Sequence, residues 1–156
     1  MSATNAPHLA QLVLLALWFG AALLFAANVA PSAFAVLPSR GLAGEVVGRV
    51  LPVIFWSGVV VGLASALLEM RAPAPARGRL VGSLLVAVAC AVSHLVFGGR
   101  IARIRAQLGG PIDALAPDDP QRLLFGRLHA LSVLGLALAM VACAVVLLLA
   151  VRSARR

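Results

Sequence analysis

The chain has 156 residues, of which 62% are hydrophobic and 12% charged, and its mean hydropathy is +1.04. A soluble domain of this size has no interior large enough to hide so much apolar surface, and the length leaves no room for a second domain. The net charge of +8 comes from arginine alone, with no lysine and no basic run interleaved with aromatics, which suits anionic headgroups and argues against nucleic acid as a partner.

Four nearly uncharged stretches, 9–30, 50–70, 80–98 and 128–151, each approach the roughly 20 apolar residues that a bilayer-spanning helix needs. They predict an all-α membrane protein, a single four-transmembrane-helix bundle over 1–156 with helices at about 9–30, 46–70, 80–105 and 122–151. The first stretch ends in Ala33-Phe34-Ala35, the form of a signal-peptide cleavage site, but residues 1–8 hold no Lys or Arg and the apolar run is too long for a signal h-region. It is read as a retained helix.

The connection Pro31 to Gly48 is ambiguous: Pro31–Pro38 is apolar enough to lie at an interface, and Leu42–Arg49 is able to open the second helix. Within that helix, Gly58 and Gly62 form a small-xxx-small pair that suits close packing inside the bundle or contact with a second copy. Arg71–Arg79 is a short, proline-broken turn, which makes helices two and three antiparallel neighbours. After helix three, Ile101, Ile104 and Leu108 keep a 3–4 spacing among arginines, as in a helix leaving the membrane with a basic face. Gly109-Gly110-Pro111 stops it, and Ala116–Pro120 is a turn with an Asp to cap the next segment from Gln121.

With both termini on one side, that side holds Arg71, Arg77, Arg79, Arg152, Arg155 and Arg156, and the other holds Arg40, Arg49, Arg100, Arg103, Arg105, Arg122 and Arg127. The compact clusters of the short second turn and the tail favour cytoplasmic termini in a bacterial inner membrane. The same threading puts Asn28, Arg49, His94, Arg100, Arg127, His129 and Ser132 near one face. Ionisable groups inside spans are costly and usually turn inward, so this layer is the candidate site. His8, Gln11 and Glu69 fall at the opposite end and read as scattered.

For His94 and His129 the plain reading is a hydrogen bond to a neighbouring helix or headgroup. A sharper one is metal, with Cys90 and His94 four residues apart on one face and His129 as a third ligand for copper or zinc. Haem between the two histidines is the other cofactor reading, although helices about 8–10 Å apart leave little room for it. Arg49, Arg100 and Arg127, with Asn28 and Ser132, are candidates for holding an anion or lipid headgroup. Cys90 and Cys143 lie inside spans and read as buried free thiols. There is no nucleophile–base pair, phosphate loop or paired-carboxylate site.

Trp18-Phe19-Gly20, Ala30–Pro38, Leu51-Pro-Val-Ile-Phe55 and Phe125-Gly-Arg-Leu-His129-Ala-Leu-Ser132 together resemble the transmembrane-protein-205-like family, a domain of unknown function in bacteria. The helix-four pattern Phe125, Arg127, His129, Ser132 is the most specific element, and Gly98-Gly99-Arg100 departs from the family's pattern, which has a proline there. The resemblance implies a four-helix integral membrane protein in a structural or transport-related role, with no established reaction.

Overall fold

A computed structural model describes residues 6–154; Arg155 and Arg156, counted above with the tail, lie outside them. Its four helices, each long and apolar enough to cross a membrane, are α1 (His8–Val36), α2 (Arg40–Met70), α3 (Arg77–Leu108) and α4 (Pro120–Ser153). They run alternately up and down. The Val36–Arg40 and Leu108–Pro120 connections share one end, called the loop side, and the Met70–Arg77 turn lies at the other, terminal side. No strand occurs among the described residues.

Three helix ends follow from local chemistry. Ser39 Oγ accepts from the Leu42 N–H (3.2 Å) and caps α2, Gly109 closes α3 in the left-handed region at φ 60°, and Asp119 Oδ1 accepts from the Gln121 N–H (2.7 Å) to open α4. The first connection is shorter than the sequence suggested. α1 continues through Pro31 to Val36 and α2 begins at Arg40, so Leu37–Ser39 alone is non-helical. Pro31 takes the place of an N–H that would bond one turn back, and the turn before it, Phe25–Val29, is π-helical. A second π turn, Ser93–Gly98, carries α3 into the Gly98-Gly99 pair, and the helix continues to Leu108, a turn beyond the expected end near 105.

The core is built on close approach. A Cβ on Gly62 would meet the Ala87 nitrogen at 2.7 Å and the Ser83 carbonyl at 2.8 Å, and one on Gly58 would meet the Trp18 ring at 2.8 Å and collide with Cys90 Sγ. Both glycines are buried against neighbouring helices, the first of the two uses that their spacing suits. Trp18 fills the space that Gly58 leaves, and its Nε1–H donates to the Ile54 carbonyl (3.0 Å). Leu15, Phe55, Val86, Leu136 and Val146 complete the interior. Leu17, Val53, Val60, Val88, Leu134 and Val141 point outward and are exposed, so the outer surface is apolar too, as suits helices able to cross a membrane.

Two outcomes follow. In membranes, cysteines placed at Ser39 and Ala116 react with an impermeant maleimide from one side and a cysteine at Ala74 from the other; Ala74 and Ala116 reacting from the same side contradicts the threading. The native Cys90 and Cys143, both free and buried, stay silent in that assay. Gly62→Ala forces two backbones apart and costs about 1–3 kcal/mol, read as a lower thermal midpoint in detergent.

Candidate functional site

The four helices bring polar groups together at both ends of the bundle, and the two ends are built differently. At the terminal side, Glu69 closes α2 and Arg79 opens α3 across the proline-broken turn. Arg79 Nε donates to Glu69 Oε2 at 2.9 Å and Nη2 to Oε1 at 3.0 Å, a two-pronged pair in which both residues are buried. The Ala76 N–H donates to Glu69 Oε1 (2.6 Å), and Arg79 Nη1 donates to Ser153 Oγ, whose own hydroxyl donates to the Ala150 carbonyl (2.8 Å). One turn deeper, Gln11 Nε2 donates to the Ser65 carbonyl at 3.2 Å. Gln11 and Glu69, which read as scattered, therefore both tie helices at this end: Gln11 joins α1 to α2, and Glu69 is held in a knot of α2, α3 and α4 whose centre is Arg79, counted in sequence as a loop arginine. The available signal was Glu69 and Arg79 flanking a turn too short to separate them.

Unmatched buried polar atoms occur at both ends, Gln11 Oε1 and the Ser65 and Ser83 hydroxyls toward the terminal side, but the loop side has half-buried imidazoles and an arginine in place of a buried ion pair. His94 sits in the π turn of α3, half-buried, with its ring 5.3 Å from Trp56 edge-on and 6.4 Å from Phe55. His129 is half-buried on α4 and stacks parallel to Phe125 one turn earlier, ring centroids 6.5 Å apart. Neither imidazole makes a hydrogen bond among the described residues. Asn28 lies in the π turn of α1, exposed, and accepts weakly from Ser32 (3.4 Å). Arg49, Arg100 and Arg127 are exposed, while Ser132 is buried with its hydroxyl unmatched, as is that of Ser93.

The sequence missed the arginine that enters the bundle. Arg105 crosses from α3, donates through Nη2 to the Gly44 carbonyl (3.2 Å) and lies over the Phe125 ring, 5.3 Å from its centroid. Gly44 and Gly48 admit it: a Cβ on Gly48 would come 2.7 Å from Nη1, and one on Gly44 3.1 Å from Nη2. Pro52, inside α2, supplies no N–H to the Gly48 carbonyl, leaving that oxygen without its helical donor. A small-xxx-small pair at Gly44 and Gly48, opposite a basic helix, was the legible signal.

Among the described residues no three His, Cys, Asp or Glu side chains come together in a group able to hold a metal ion. Cys90 turns into the core against Gly58, whereas His94 turns toward Trp56 and Phe55, so the set Cys90, His94, His129 is not assembled.

Residues 13–109, from the second turn of α1 to the end of α3, match the model of a family described as Domain of unknown function (DUF4149). The chain belongs to this family. The matched region contains His94, Arg105 and the Glu69–Arg79 pair; α4, which supplies Phe125, His129 and Ser153, lies beyond it. No curated protein and no solved structure matches the chain.

Because the Glu69 carboxylate and Arg79 share one buried site, removing either leaves the other charge without its partner. Arg79→Ala lowers stability by about 3–5 kcal/mol, whereas Glu69→Leu combined with Arg79→Met recovers much of the loss, measured by reversible unfolding in mixed micelles. Equal losses in the single and double variants contradict a directly coupled pair.

Proposed function

We propose that the protein is a non-catalytic binding or transport-associated component of a bacterial inner membrane, and that its loop-side half is the working end. The observation carrying this reading is the asymmetry just described. The terminal side matches its charges within itself, while the loop side sets Arg105 over Phe125 beside His129, both half-buried, with donors left for something else, and keeps His94 apart among Trp56 and Phe55 in one of the two π turns, a feature that often accompanies functional sites. A guanidinium held over an aromatic ring beside an imidazole suits an anionic group. The resemblance to the transmembrane-protein-205-like family supports a transport-related role over catalysis. The compact arginines of the 71–77 turn and the tail favour cytoplasmic termini.

The reading is tested with inorganic phosphate as probe. At low ionic strength it raises the thermal midpoint of the detergent-solubilised protein; Arg105→Ala and His129→Ala remove that rise while lowering the unliganded midpoint by less than about 4 °C. A rise that persists in both variants places the anion elsewhere and contradicts the proposal, as does a loss of stability that matches the loss of response. An ultraviolet–visible spectrum and elemental analysis of the same preparation show neither a Soret band nor stoichiometric copper or zinc; either one, lost in His129→Ala, favours a redox protein instead.

A further inference from the structure

Between α3 and α4 the outer surface is cut by a groove of about 260 Å³ lined by Leu85, Val88, Val92, Phe97 and Leu138, with no polar surface exposed along it. Its floor is the contact of Ser93 with Gly135, where a Cβ on the glycine would collide with Ser93 Oγ, so the two backbones approach closely and the flanking side chains form walls. The groove is smaller than the roughly 300–1,000 Å³ of a site for a compact organic ligand.

The register places charge at one end of it. On α4, Arg127, Leu131, Leu134 and Leu138 recur at one-turn spacing and all are exposed, and on α3 Leu85, Val88, Val92, Val96 and Arg100 form the matching exposed stripe. Because the helices are antiparallel and meet at Ser93 and Gly135, Arg100 stands about 10 Å and Arg127 about 12 Å from that contact toward the loop side. Two exposed arginines on adjacent helices thus start from about the same level, beyond the loop-side end of an apolar slot that runs toward the middle of the bundle.

We infer that this groove seats one acyl chain of an anionic phospholipid whose phosphate lies between Arg100 and Arg127. The inference rests on the reading of the loop-side half as the binding end and names the ligand class for its outer surface. Charge complementarity selects the lipid: two arginines match a phosphodiester without a cationic headgroup, and a zwitterionic headgroup would bring a like charge to the same mouth.

The test is native mass spectrometry of the full chain released from nanodiscs containing phosphatidylglycerol and phosphatidylcholine. One phosphatidylglycerol stays bound in preference to phosphatidylcholine. Arg100→Gln with Arg127→Gln weakens its retention about 30-fold, and Leu138→Trp, at an exposed position that does not disturb the core, displaces it although both arginines remain; Val88→Trp repeats that result from the other wall. No preference between the lipids, or retention unchanged by both tryptophans, overturns the inference, the latter outcome meaning attraction to headgroups without a seated chain. Arg105→Ala and His129→Ala leave this retention intact, so failure of the inner anion site and failure of the groove are read separately.

Discussion

The bundle depends on the pairing of Glu69 with Arg79. Two full charges in a mainly apolar four-helix interior are tolerated only when each is matched, and here the carboxylate takes two guanidinium donors and a backbone N–H while the guanidinium also reaches Ser153. That requirement fixes the Met70–Arg77 turn, the end of α2, the start of α3 and the end of α4 relative to one another. From there the small residues take over: Gly62 against Ala87, Gly82 against Val146 and Gly58 against Trp18 and Cys90 let the helices close where no hydrophobic drive favours one apolar contact over another.

Toward the loop side the means of closure change. Two π turns interrupt the regular ladder in α1 and α3, one ahead of Pro31 and one ahead of Gly98-Gly99, and Pro52 breaks a bond in α2. Each sets backbone groups or side chains at angles a regular helix would not give, and the space is filled by a guanidinium over a phenyl ring and by imidazoles against aromatics. The same sequence thus makes a tied end and an end with polar groups to offer. Weight therefore falls on Arg105 more than on the exposed Arg49.

Much of the architecture was legible because a bilayer imposes length and polarity together. The four spans were recoverable from apolar runs alone, and the Asp cap at α4 and the glycine stop after α3 from turn chemistry. The first connection was overestimated because prolines read as breaks, although Pro31 is accommodated by the π turn before it. The candidate layer was located from the depths of Asn28, His94 and His129, which hydropathy fixes. Which residue at that depth points inward depends on helix rotation, and a π turn shifts that rotation by about a residue, so Arg105 was passed over in favour of Arg100. The Glu69–Arg79 knot was missed for another reason: a charge flanking a span reads as an anchor until its partner is seen across the turn.

The central claim is that the terminal side is tied and the loop side yields. Hydrogen–deuterium exchange of the protein in nanodiscs measures it directly, since local opening follows the packing and bonding of each segment. The account requires slow exchange for amides of residues 62–69, 80–90 and 142–150, and exchange at least tenfold faster through 25–29 and 93–98, although both lie as deep within their apolar helices. Uniform protection along all four helices, or faster exchange at the Glu69–Arg79 end, would contradict it.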